Sequence, residues 1–106
     1  MRTTLLLCVV VMLIGCDAVQ RVQGIVYDKQ TGKPIDSVAI GKTEKEDLSN
    51  PFYRKYYSGS DGRFDFNQVG GTNSVELYFT KKGYKTIKQY YPGLTDSTKV
   101  YLERSN

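Results

Sequence analysis

Residues 22–40, VQGIVYDKQTGKPIDSVAI, hold two short apolar runs on either side of a turn. Val22, Gly24 and Val26 alternate with Gln23, Ile25 and Tyr27, and Val38 and Ile40 flank Ala39. Successive side chains of a β-strand point to opposite faces, so each run puts one face in a core and the other in water. The intervening Thr31-Gly32-Lys33-Pro34 reads as a turn. The Asp28 carboxylate is placed to cap it, Gly32 admits positive φ, and Pro34 presets φ at the entry to the second strand. A glycine inside a strand, Gly24, implies close approach by another backbone or an aromatic ring, for which Tyr84 is the candidate.

The same period of two continues outward. Phe64 and Phe66 flank Asp65; Val75, Leu77 and Phe79 alternate with Glu76, Tyr78 and Thr80; Val100 and Leu102 alternate with Tyr101 and Glu103. Ser60-Asp61-Gly62, Gly70-Gly71, Lys82-Gly83 and Pro92-Gly93 are turn signals between these runs. Strands are expected near residues 21–28, 36–41, 52–58, 63–67, 74–80, 84–90 and 98–103, with Asp61-Gly62 turning a hairpin. No segment keeps helical spacing; Glu44 to Leu48 suffices for one turn at most. Short strands at this spacing give an all-β chain, a Greek-key β-sandwich of about seven strands. Its expected core is Val26, Val38, Ile40, Phe64, Phe66, Leu77, Phe79 and Leu102.

Ahead of this domain the pattern changes. Arg2 is followed by an apolar run from Leu5 to Ile14. A membrane-spanning helix needs roughly 20 such residues, so this run suits the core of a secretory signal. Leu13-Ile14-Gly15-Cys16 resembles the lipobox of bacterial lipoproteins. That resemblance implies a diacylglyceryl group, with its acyl (palmitate-type) chains, on the Cys16 thiol, cleavage before it, and attachment to a membrane of the cell envelope, facing the periplasm or the cell surface. The expected division is a signal peptide at 1–15, a short tether at 16–20 and the β-sandwich at 21–106. Cys8 would leave with the signal, and the one remaining cysteine carries lipid, so no disulfide staples the fold.

The stretch at 22–40 also resembles the opening of the carboxypeptidase regulatory-like domain, a transthyretin-like (prealbumin-like) sandwich. Gly24, Val26, Asp28, Thr31, Gly32, Pro34, Ile35, Val38 and Ile40 carry the likeness. Asp61, Gly62, Phe64 and Phe66 continue it, and so do Gly83 and Tyr84. Ser58-Gly59 stands where that family has Thr-Asp, and the loop from Lys42 to Pro51 is longer and more charged. The resemblance implies an accessory module acting by binding or scaffolding rather than an enzyme. Transthyretin-related hydrolases of the same fold rely on His residues and a C-terminal Tyr-Arg-Gly-Ser, whereas this chain has no His and ends Glu-Arg-Ser-Asn.

Composition narrows the function classes. The net charge is +4 with both signs interspersed and no long basic run, so nucleic acid is not an expected partner. Without His and with Cys16 blocked, Ser-His, Cys-His and His-metal chemistry have no residues to use. The remaining catalytic candidates are carboxylates: Asp61 and Asp65 at the hairpin, and Glu44, Glu46 and Asp47 in one loop. Such pairs serve glycosidic acid–base work, but Asp61 already has a turn role. The loop acids, interrupted by Lys45, fall short of the six to eight oxygens Ca²⁺ requires and read as a solvated loop. No cofactor, metal or catalytic residue is expected, and the domain is expected to be a monomer. The binding candidate is FYRKYY, where Phe52, Tyr53, Tyr56 and Tyr57 interleave with Arg54 and Lys55 to offer rings and cations to a protein or glycan partner. A glycan-binding protein and a small envelope hydrolase are the alternatives, and Tyr90-Tyr91 is the competing surface.

The lipobox reading has a direct test. Native protein should have a mass showing acyl addition at Cys16 and should partition with membranes, and Cys16→Ser should release it or stall its processing. A native chain without any acyl addition would refute the reading.

Overall fold

The computed structural model describes residues 18–45, 49 and 56–105. Within them are seven strands: β1 (Ala18–Asp28), β2 (Ala39–Gly41), β3 (Tyr56–Tyr57), β4 (Arg63–Gly70), β5 (Val75–Thr80), β6 (Ile87–Tyr91) and β7 (Thr95–Leu102). One sheet has the order β4-β1-β7 and the other β3-β2-β5-β6. The chain passes between the sheets after β1, β3, β4 and β6, so it weaves a Greek-key sandwich. All neighbours are antiparallel except β1 and β7, which run parallel. No helix among the described residues is long and apolar enough to cross a membrane.

The alternation seen in the sequence packs the two inner faces together. Val22 and Val26 of β1, Phe64 and Phe66 of β4, and Val100 and Leu102 of β7 meet Ile40 of β2, Val75, Leu77 and Phe79 of β5, and Tyr91 of β6. Ile35 and Val38, from the link between β1 and β2, close one side. All eight residues expected in the core are buried. Two ring contacts join the sheets: Phe64 meets Phe79 edge-on at 5.4 Å, and Tyr56 meets Phe66 at 5.0 Å. Each such pair adds about 0.5–1.5 kcal/mol beyond the area it buries.

Several local expectations change. β1 begins at Ala18, so residues 18–20, assigned to a tether, are strand and pair with Gln68–Gly70 of β4. β2 starts at Ala39 rather than residue 36, because Ser37 takes a positive φ of 58°. Tyr84 precedes β6 and forms an isolated bridge with Arg104. The turn at Asp61-Gly62 is real, with Gly62 at φ 77° and Gly59 N–H donating to the Arg63 carbonyl at 2.9 Å. It is not a hairpin, because β3 pairs with β2 while β4 pairs with β1 in the other sheet. The turn is therefore a corner, and a hidden residue supports it. The Ser58 hydroxyl is buried, donates to the Ile35 carbonyl at 2.8 Å and accepts from Val38 N–H at 2.9 Å.

Gly24 does meet a close neighbour, but the neighbour is Thr98 and not Tyr84. A Cβ built on Gly24 would lie 2.2 Å from the Thr98 carbonyl oxygen. Gly24→Ala must push β1 away from β7 at a backbone contact that cannot rotate aside. It is expected to cost at least about 1–3 kcal/mol in denaturant unfolding, in the range of overpacked cores; an unchanged midpoint would refute this geometry.

Candidate functional site

Gly24 also lines a concavity. Between Val22 and Gly24 the β1–β7 register shifts, from Val22 opposite Thr95 to Gly24 opposite Thr98. One extra residue of β7 is thus accommodated around Asp96 and Ser97. Such bulges re-aim side chains and bend the strand. Here the bulge borders a hollow of about 670 Å³ on sheet β4-β1-β7, with Tyr57 of β3, Arg63 and Asp65 of β4, and Asp96, Ser97 and Lys99 of β7 at its rim. Ile25 contributes apolar surface, opposite Arg63 on one side and Lys99 on the other.

The polar groups of the hollow have distinct roles. Asp65 accepts from Gln23 at 3.1 Å and pairs with Arg21 at 3.3 Å, so its carboxylate is already engaged. Asp61, the other carboxylate singled out in the sequence, accepts from Arg63 N–H at 3.0 Å and faces the Arg63 side chain at 3.4 Å. These pairs are solvent-exposed and contribute little to stability. The two acids are therefore turn and strand partners. Arg63, Lys99 and Asp96 remain exposed at the rim, with charges of both signs around a tyrosine.

The aromatic strip separates by parity. Tyr56 packs its ring on Phe66 and donates its hydroxyl to the Asn67 carbonyl, which makes it a strut between the sheets. Tyr57 is 53% exposed and lines the hollow. Phe52, Tyr53, Arg54 and Lys55 lie outside the described residues, as do Cys16, Glu46 and Asp47. At the competing surface Tyr91 is buried and Tyr90 exposed. Among the described residues, no three His, Cys, Asp or Glu side chains are grouped to hold a metal. Sequence reasoning missed the β7 contribution of Asp96, Ser97 and Lys99. Its only local signal was the polar run TDSTK, in which no alternation shows.

A second polar cluster sits at the far end of β1. Asp28 is buried and accepts four hydrogen bonds. Gln30 and Thr31 N–H donate to Oδ1 at 2.8 and 3.1 Å, and the Tyr84 hydroxyl and Arg104 Nε donate to Oδ2 at 2.8 and 2.9 Å. The Tyr84 hydrogen bond foremost, then Arg104 and the two turn amides, hold this carboxyl well below the usual carboxylate range against the opposing pull of burial. The same contact raises the Tyr84 phenol. All acceptor positions of Asp28 are taken, so the cluster is a clamp rather than a reactive site.

No family model matches this sequence. No curated protein matches it either. The carboxypeptidase regulatory-like and lipoprotein resemblances thus have no support of that kind, and the architecture stands as a β-sandwich. Among solved structures the fold is similar to 3-chlorocatechol 1,2-dioxygenase from Rhodococcus opacus 1CP, with 13% identity and a TM-score of 0.56 over 82% of this chain. The chain spans 60% of that enzyme's length. At this identity the likeness is one of fold alone. It corrects one expectation, that the chain is not an enzyme: the sandwich it shares with this neighbour belongs to an enzyme, so the architecture gives no ground for excluding catalysis.

The clamp predicts a pH dependence. A carboxyl whose pKa is depressed on folding contributes stability that is fully present above its unfolded value, near 4, and is lost as pH falls through the lower folded value. Asp28→Asn should lower the melting temperature at neutral pH. The gap from the unmodified protein should narrow as pH drops below about 4. A gap that widens in acid would contradict the geometry.

Proposed function

We propose that this protein is a lipid-anchored module of the bacterial cell envelope that binds or scaffolds a protein or glycan partner through the hollow beside the β1–β7 bulge. The lipobox-like Leu13-Ile14-Gly15-Cys16 supports the anchor. The observation that carries the binding reading is the hollow itself, which Tyr57, Arg63, Lys99 and Asp96 line together beside the bulge. Tyr and Arg dominate binding hot spots because they combine large rigid contact area with directed polar groups. Opposite charges at the rim favour a partner that also carries both, such as an extended peptide segment. The described part of the aromatic strip supports a narrower contact than the sequence suggested: Tyr57 belongs to it and Tyr56 does not.

The test is photo-cross-linking from Tyr57 and Lys99 in native membranes, with the captured partner identified and its affinity measured. Tyr57→Ser and Lys99→Ser should each leave the fold intact. If either position is a hot spot worth about 2 kcal/mol, affinity should fall about 30-fold. Lys88→Ser, on β6 of the other sheet, should leave affinity unchanged. Undiminished binding by both folded rim variants would refute the assignment.

A further inference from the structure

The exposed apolar residues are not spread evenly. Among the described residues, Val19, Tyr57, Val69, Tyr90, Leu94 and Tyr101 are the large hydrophobic side chains left in solvent. Four of these, Val19, Val69, Tyr90 and Leu94, gather at one end of the sandwich. Val19 lies opposite Val69 where β1 begins and β4 finishes. Tyr90 lies opposite Glu76 at the start of β5. Leu94 immediately precedes Thr95, which pairs with Val22. The Gln20 side-chain amide donates to the Ser74 carbonyl at 3.1 Å and ties the start of β1 to the start of β5, so these residues share one end of the domain.

This is also the end from which Cys16 departs. Only Asp17 separates Cys16 from Ala18, the first residue of β1. Two residues of extended chain reach about 7 Å. A lipid-bearing Cys16 must lie at the membrane interface, so so short a link leaves no room for the domain to stand off. The end carrying Val19, Val69, Tyr90 and Leu94 is thereby brought to the depth where acyl chains give way to headgroups. Aliphatic side chains gain from burial there and tyrosine favours that boundary. Of the nearby charges, Arg21 pairs with Asp65 at 3.3 Å and Glu76 with Lys88 at 3.8 Å, and the exposed Asp96 adds a negative one, so the contact is apolar rather than a basic patch seeking anionic lipid.

We propose that this end of the sandwich docks on the lipid surface that holds the acylated Cys16, with Val19, Val69, Tyr90 and Leu94 at the headgroup boundary. The proposal rests on the lipid-anchor reading and deepens it, because it fixes the orientation of the domain. Docked in this way, the protein is a short upright stub. The Asp28 clamp and the Gly32 turn, at the other end of β1, are its outermost part.

The experiment uses acylated full-length protein reconstituted in phosphatidylcholine vesicles. Single cysteines are introduced by Val69→Cys or Leu94→Cys at the near end and Lys33→Cys or Lys82→Cys at the far end, each labelled with an environment-sensitive fluorophore. The near-end probes should shift to the blue and lose most of their emission when the vesicles carry a headgroup-level quencher. The far-end probes should keep theirs, and high salt should change neither. Equal quenching at both ends, or none at either in protein that floats with the vesicles, would overturn the docking and leave the anchor intact. A chain that carries no acyl mass and does not float would overturn the anchor reading, and the docking with it.

Discussion

Much of the sandwich hangs on one carboxylate. Asp28 closes the turn after β1 through Oδ1, and its Oδ2 takes the Tyr84 hydroxyl and Arg104 Nε from segments far along the chain. The backbone repeats this convergence, with Lys29 N–H donating to the Leu102 carbonyl and Lys85 N–H to the Glu103 carbonyl. The first turn, the approach to β6 and the end of β7 are thus held at a single point. A buried charge costs a great deal to desolvate unless every lone pair finds a donor. Four donors meet that condition here, and removing one of them leaves the rest of the cost in place.

The fold was legible because its information is local. The alternation of Val22 with Val26, of Phe64 with Phe66, and of Val75, Leu77 and Phe79 states directly which side chains turn inward, and the structure buries them all. The capping role of Asp28 and the positive φ at Gly32 were equally readable, since both act within five residues. What could not be read was pairing at long range. Gly24 signalled a close neighbour, but nothing local says that the neighbour is Thr98. Asp61-Gly62 signalled a reversal, but a turn between two strands of one sheet and a corner between two sheets use the same residues.

The candidate site was harder to see for the same reason. Tyr56 and Tyr57 are adjacent and chemically alike, and only the position of β3 over Phe66 makes one a strut and leaves the other lining the hollow. The hollow is bordered by the close approach of Gly24 to Thr98 and by an extra residue in β7 whose partner strand lies some seventy positions away. Neither leaves a mark in hydrophobic periodicity. Ser58 is a further instance: it stands where the resembled family has Thr, and its hydroxyl joins two backbone groups of the preceding link, which sequence gives no reason to place beside it.

The parallel pairing of β1 with β7 bears on how the molecule comes into being. The two strands are the first and last of the described residues, and β1 is the centre of its sheet, flanked by β4 and β7. Until β7 arrives, β1 has a bare edge, Asp28 lacks Arg104, and Val100 and Leu102 are missing from the core. The chain between the two strands must close as one large loop before that pairing returns any free energy, which is the condition that slows folding in proteins of high contact order. The nascent chain therefore stays open to a chaperone or a protease until β7 is free to move.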